Sequence, residues 1–235
     1  NIENKNIISN EEVDLKKYMT SIKQNCYRLL RLVNNIIDMN KIDYGYYDIE
    51  LGNYNIVSVV EDITMSVLEY IKNKGIELIF DTDTEEEIIA CDPDKIERII
   101  LNLLSNAIKY TRPDGKIIVN INSDKENVYI SVKDTGIGMP KQKLNKIFNR
   151  YEQIDNKLTK SFNGSGIGLS LVKSLVELHG GVVYLEKNVE QGCEFVIKLP
   201  NKILDESKNE EIKSIDIDNK PLIQKVNIEF SDIYN

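Results

Sequence analysis

PDKIERIILNLLSNAIKY, residues 93–110, reads as one helix that must be buried on nearly every side. Asp92 stands at its N-cap, where a carboxylate accepts from the free amides of the first turn, and Pro93 at the first helical position needs no amide partner. Ile96, Ile99, Ile100, Leu103, Leu104 and Ala107 cover most of the cylinder, while Asn102, Asn106 and Lys109 form one polar stripe at spacings of four and three. A helix this apolar lies inside a layered domain. Its buried amides then need partners: either nearby backbone groups, or a hard cation that their carbonyl oxygens hold.

Working outward, the residues on both sides switch between helical and strand periods. A helix is predicted over Ile56–Lys72, with strands at Glu77–Phe80 and Glu87–Cys91 before the central helix and at Lys116–Asn122 and Val128–Lys133 after it. A short helix opens at Pro140, and the polar stretch from Asn149 to Ser165 reads as a mobile loop. A further helix runs from Ile167 to His179, where Gly180-Gly181 stops it, and strands at Val182–Glu186 and Glu194–Leu199 close the unit. The expected class is α+β over residues 47–200, with strands pairing mainly as sequence neighbours and helices covering one face.

Two flanking regions differ. From Val13 to about Ile42 there is neither proline nor glycine, and Met19, Ile22, Cys26, Leu29, Val33 and Ile36 recur at alternating three and four spacing. That is the seam of a helical bundle, widened by Leu30 and Ile37, so residues 1–46 are expected to need partner helices from another domain or another molecule. Residues 201–235 carry five lysines and eight acidic residues, a charged tail in which only Val226, Ile228 and Phe230 alternate as a strand does. That segment is expected to dock as a strand while residues 204–220 stay solvated.

Composition removes several functions. Thirty basic against 38 acidic side chains leave a net charge of −8, unsuited to a nucleic-acid backbone. No run nears the roughly 18 apolar residues of a membrane span. One histidine, His179, excludes multi-histidine metal sites, and Cys26, Cys91 and Cys193 lack the spacing of a disulfide framework or a zinc site, so they are expected to be buried free thiols. The sequence opens on Asn1 without methionine or a signal-like segment, as a piece of a longer protein does; the expected location is cytoplasmic, in a parent that could be membrane-anchored.

Seven of the twelve glycines fall between Gly136 and Gly181, five of them in Asp134-Thr-Gly136-Ile-Gly138 and Gly164-Ser-Gly166-Ile-Gly168. Neither cluster is a Walker A loop or a dinucleotide fingerprint. The second leads straight into a helix, whose free amides and positive end suit a phosphate chain.

With the polar stripe beside these clusters, residues 12–200 resemble the ATP-binding domain of sensor histidine kinases, an α/β sandwich shared with type II topoisomerase, mismatch-repair and heat-shock chaperone ATPases. Asn102 to Thr111 resembles the N box, Asp134 to Gly138 the first glycine box, Ile147-Phe148-Asn-Arg150-Tyr151 the F box, and Gly164 to Leu169 the second glycine box. Leu178-His179-Gly180-Gly181 and Gly192-Cys-Glu-Phe195 resemble the family's ending, and Asn34 to Asp43 the second helix of its dimerisation and phosphotransfer hairpin.

The resemblance implies that Asp134 accepts from the adenine amino group, Asn106 holds Mg²⁺, Asn102 and Lys109 lie near the phosphates, and Tyr110 lies against base or ribose. Gly136, Gly138, Gly164, Gly166 and Gly168 would line the nucleotide, Ser165 would add a hydroxyl, and Arg150 and Lys160 would close a lid over the triphosphate. No catalytic residue lies in the fragment, because the hairpin helix with the phosphoacceptor histidine is absent and His179 matches a structural position. ATP, a response regulator and a second copy joined through the bundle are the implied partners. Two rivals stay open: an ATP hydrolase of the same fold, and a regulatory module with a residual nucleotide site.

Overall fold

The computed structural model describes residues 2–140, 143–144, 146–152, 165–186, 191–205 and 219–231. Its first element, α1 (Ile2–Asp43), is a single long helix. A short antiparallel ribbon follows, made of β1 (Gly52–Asn55) and β3 (Ile88–Cys91). Between these strands lie α2 (Ile56–Ser66), α3 (Leu68–Asn73) and β2 (Glu77–Thr82). The predicted helix over 56–72 is therefore two helices, broken at Val67, a fully buried residue at φ −99° and ψ 1°.

The central helix, α4, spans Pro93–Tyr110 as the sequence predicts, with the Asp92 carboxylate accepting from the Lys95 amide at 3.3 Å. After it come β4 (Lys116–Ser123), β5 (Asn127–Asp134), α5 (Gly168–Leu178), β6 (Val182–Leu185) and β7 (Cys193–Pro200). These strands and β2 form a five-stranded sheet in the order β2-β4-β5-β7-β6. Only β2–β4 is parallel. Neighbour pairing, the sequence expectation, holds for β4–β5 and β6–β7 alone, because the intervening helices carry the chain across the layer before it returns.

One face of the sheet is the core. Ile117, Val119 and Ile121 on β4, Val128, Ile130 and Val132 on β5, and Phe195, Ile197 and Leu199 on β7 all point inward in strict alternation. Against them lie α2, α4 and α5, and α4 is the innermost: Ile99, Ile100, Leu103 and Leu104 have no exposed surface. This is a two-layer α/β sandwich.

Around Pro140, where a short helix is expected, the described residues make successive i to i+3 turns, Lys143 to Pro140, Lys146 to Lys143 and Asn149 to Lys146, the tighter 3-10 spacing. Residues 141, 142 and 145 lie outside the described residues, as does most of the loop expected between Asn149 and Ser165.

The tail does dock, but not as a strand. A helix, α6 (Asn219–Glu229), and the turn that ends it place Val226 and Phe230 inside at 1% and 0% exposure, while Ile228 between them, which a strand would bury with both, is only half-buried. Cys26 is another correction: Cys91 and Cys193 are buried free thiols, but Cys26 is exposed, because it lies on the α1 seam, which none of the described residues covers. Burial pushes the Cys91 and Cys193 thiols up to about 12, leaving them unreactive.

His179 fixes the start of α4. Its Nδ1 donates to the Leu175 carbonyl at 2.7 Å, and its Nε2 accepts from the Asp92 amide at 3.2 Å. Burial holds its pKa below the ordinary histidine value, so the ring is neutral in the fold. A folded pKa below the unfolded one means this stabilisation is complete above about pH 6.5 and is lost as pH falls from there. His179→Gln should cost about 1–3 kcal/mol at pH 7.5 by stranding the Asp92 amide. In urea titrations between pH 7.5 and 5.5, the gap between wild type and variant should narrow on acidification; a constant gap would mean that His179 does not titrate there. Asp134, raised to about 6, contributes the opposite slope but cancels in the difference.

Candidate nucleotide site

The inward row of β5 reads Val128, Ile130, Val132, Asp134, so the strand's alternation carries a carboxylate into the core at its last position. Asp134 is 5% exposed, and its Oδ1 accepts from the Gly136 amide at 2.8 Å. Burial, only partly offset by the Gly136 and Cys193 amides, pushes its pKa up to about 6. A buried carboxylate of this kind is an acceptor suited to a neutral N–H donor.

The first glycine cluster lies against the end of α4. A Cβ on Gly136 would stand 2.4 Å from the Tyr110 carbonyl oxygen, and Ile137 donates its amide to that same carbonyl at 3.3 Å. Tyr110 is thereby held beside the loop after β5, half-buried, with the Lys109 ammonium 5.4 Å from its ring centroid.

Along the same helix, Asn102 is 1% exposed, and neither its Oδ1 nor its Nδ2 has a hydrogen-bond partner. The start of α5 abuts it: a Cβ on Gly168 would come within 2.5 Å of Asn102 Oδ1, so only glycine lets the two elements approach this closely. The helix has no side-chain N-cap, since Ile167 occupies that position and Ser165 Oγ accepts only from the Ile167 amide, at 3.3 Å. Gly166 ties this turn to Tyr151, whose amide donates to its carbonyl at 2.9 Å. Asn106 is half-buried one turn beyond Asn102.

Most residues expected at the site are therefore gathered: Asn102, Asn106, Lys109 and Tyr110 on α4, Asp134 at the end of β5 with Gly136 and Gly138 after it, and Ser165 and Gly166 before α5 with Gly168 opening it. Arg150 is placed otherwise, forming a bidentate pair with Asp43 at the end of α1. Lys160 and Gly164 lie outside the described residues. His179 is at the opposite end of α4 from Asn106, roughly 20 Å away at 1.5 Å per residue.

Two contributors were missed. Gly192 passes so close to the first cluster that a Cβ would stand 1.8 Å from the Asp134 carbonyl oxygen, and Asp43 holds Arg150. The first was visible as a glycine opening the last strand. The second has no local signal, being 107 residues from its partner.

The site fits a magnesium nucleotide. It offers one buried acceptor, a stripe of amides with an orphaned member, and an uncapped helix start facing that amide. Among the described residues no group of three His, Cys, Asp or Glu side chains gathers, so a hard cation here would be held by amide oxygen together with phosphate.

Comparison with known proteins agrees with this geometry. Residues 91–203 match the family described as histidine kinase-, DNA gyrase B-, and HSP90-like ATPase. The circadian input-output histidine kinase CikA of Synechococcus elongatus is 30% identical over 191 residues, which span 80% of this chain and 25% of CikA. The solved structure of full-length ShkA in complex with AMPPNP superposes with a TM-score of 0.69 at 26% identity, covering 79% of this chain and 38% of that one. Histidine kinase ThkA in complex with the response regulator protein TrrA gives 0.64 at 27% identity, covering 80% of this chain and 52% of that one.

If the Asn102 amide is kept for a ligand, its unpaired burial costs the free protein about 1–3 kcal/mol. Asn102→Leu should then leave ligand-free unfolding stability unchanged or raise it by about 1 kcal/mol, while abolishing stabilisation by nucleotide. A loss of more than about 1 kcal/mol in urea unfolding would make Asn102 a structural amide instead.

Proposed function

We propose, from the match of residues 91–203 to the histidine kinase-, DNA gyrase B-, and HSP90-like ATPase family, that this chain is the ATP-binding kinase core of a two-component sensor histidine kinase. It presents the γ-phosphate of Mg-ATP to a histidine outside residues 1–235, for relay to an aspartate of a response regulator, in the cytoplasm. The orphaned Asn102 amide, set between the polar stripe and the uncapped start of α5, carries this reading.

Each residue has a task that its position allows. Asp134 accepts from the adenine amino group, and a carboxylate repels the O6 that guanine would place there. Asn106 supplies an oxygen to Mg²⁺, which neutralises phosphate charge when bound. Asn102, Lys109 and the amides opening α5 orient the phosphates, and Tyr110 covers the base or ribose. Positioning and charge neutralisation are most of what phosphoryl transfer asks of a protein. Hydrolysis is disfavoured, because Asn102 occupies the place where a base would activate water, and an amide is a poor base.

The receiving histidine is not His179, which is buried, neutral and at the far end of α4. The bundle seam supports the rest: Met19, Ile22, Leu29, Val33 and Ile36 are all exposed along one face of α1, an apolar stripe suited to a second hairpin helix and a second copy of the chain. The likeness to ThkA, solved in complex with the response regulator protein TrrA, supports transfer to a response regulator.

Calorimetry at several pH values tests this. Binding through the Asp134 carboxylate requires it ionised, so Mg-ATP affinity should be flat above about pH 7 and fall as pH drops through about 6, approaching about tenfold per unit. Asp134→Asn should weaken binding by roughly tenfold or more at pH 7.5 and flatten the profile. Equal affinity for Mg-GTP, or a variant that binds like wild type, would remove Asp134 from the base pocket.

A further inference from the structure

Beyond the family domain, the last turns of α6 touch three elements at once. Toward α1, Glu229 pairs with Arg31 at 2.8 Å, and the Ser231 carbonyl accepts from Arg28 Nε at 3.1 Å. Toward α3, the Tyr70 hydroxyl donates to Asn227 Oδ1 at 2.6 Å, and Phe230 meets the Tyr70 ring edge-on at 5.5 Å. Toward α4, Lys225 reaches Asp94 at 2.9 Å and Glu97 at 3.0 Å, and Ser105 Oγ donates to the Glu229 carbonyl at 3.0 Å.

The sides of α1 and α4 involved are informative. Arg28, Arg31, Asn35 and Asp38 follow three and four spacing, about half a turn round α1 from the exposed seam, so α6 leaves the seam free for other helices. Ser105 lies between Asn102 and Asn106, so the end of α6 supports the helix that carries both amides. Elsewhere α1 is held to the layer near its C-terminal end, by Met39 buried in the core with Ile42 against it, by Arg98 donating to the buried Asn35, and by two ion pairs, Arg98 to Asp38 and Arg150 to Asp43, the second of them exposed and contributing little alone. The α6 contacts hold α1 further toward its middle, at Arg28 and Arg31, from a segment anchored in the layer by buried Val226 and Phe230.

We propose that α6 is an intramolecular clasp that fastens the bundle helix to the nucleotide-binding layer, holding the two in one fixed orientation. Resting on the kinase reading, this makes α6 a restraint on phosphoryl transfer. The reacting atoms must come within about 3–3.5 Å, so the layer has to move toward whichever bundle helix carries the histidine. In the clasped arrangement that approach is blocked, and Arg150 is spent on Asp43 instead of on phosphate. Because α6 is tethered to the same chain, its docking is intramolecular and can be tipped by a single charge.

Amide hydrogen exchange on the intact chain, with Mg-ATP calorimetry in parallel, tests the clasp. Lys225→Glu sets a third carboxylate against Asp94 and Glu97, and Arg31→Glu faces Glu229; each should speed exchange about tenfold or more in both residues 224–231 and residues 28–42. The double variant Arg31→Glu with Glu229→Arg should restore slow exchange in both segments. Mg-ATP affinity should stay within about threefold of wild type throughout, since none of these residues is at the site. Faster exchange in 224–231 with no change in 28–42 would overturn the clasp, as would a double variant no slower than the single ones. Failure of the wild-type chain to bind Mg-ATP would instead sink the kinase reading, and the restraint on transfer with it, whatever the exchange shows.

Discussion

The burial of α4 is the constraint on which the rest depends. A helix with the sheet beneath it and α2 and α5 on its flanks has almost no surface left for water, so every polar group it carries must find a partner or remain desolvated. Its N-terminal end is satisfied by Asp92 and, through the Asp92 amide, by His179. Its C-terminal half is not: among the described residues Asn102 has no hydrogen-bond partner, one turn before the half-buried Asn106. A fold that satisfies one end of its central helix so fully and leaves the other open has a ligand-shaped deficit at the open end.

That deficit is built by backbone approach as much as by side chains. Gly168 lets α5 reach Asn102, Gly136 lets the loop after β5 reach the end of α4, and Gly192 lets the last strand reach Asp134. The alternation of β5 then supplies the buried carboxylate. Each feature weakens the free protein, through an unpaired amide and a desolvated acid, and on the proposed reading each is recovered when a donor-bearing base and a phosphate chain arrive. Stability is given up at the positions where recognition takes place.

Legibility in the sequence follows the range of the determining interaction. The bounds of α4 were readable because Asp92 and Pro93 mark the start chemically, and the inward phases of β4 and β5 because alternation is local. Asn102, Asp134 and the glycines were readable as a site because those residue types are costly in a core. By contrast, β1 is Gly52-Asn-Tyr-Asn, with no apolar alternation, and pairs with β3 across 30-odd residues. The break at Val67 has no glycine or proline to mark it. In the tail, Val226, Ile228 and Phe230 fit a strand by alternation, and only docking against Tyr70 and α4 selects the helical pair Val226 and Phe230. Arg150 and Asp43 are each ordinary surface charges until the fold brings them together.

Mapping amide hydrogen exchange of the intact chain with and without a non-hydrolysable Mg-ATP analogue tests the central claim most directly, because it asks where the deficit of α4 is filled. The account predicts that nucleotide slows exchange at residues 102–110, 134–138 and 165–170, and leaves the His179 end of α4 unchanged. Protection centred on residues 92–96 and 179, or no protection at Asn102 and Gly168 under saturating nucleotide, would contradict it.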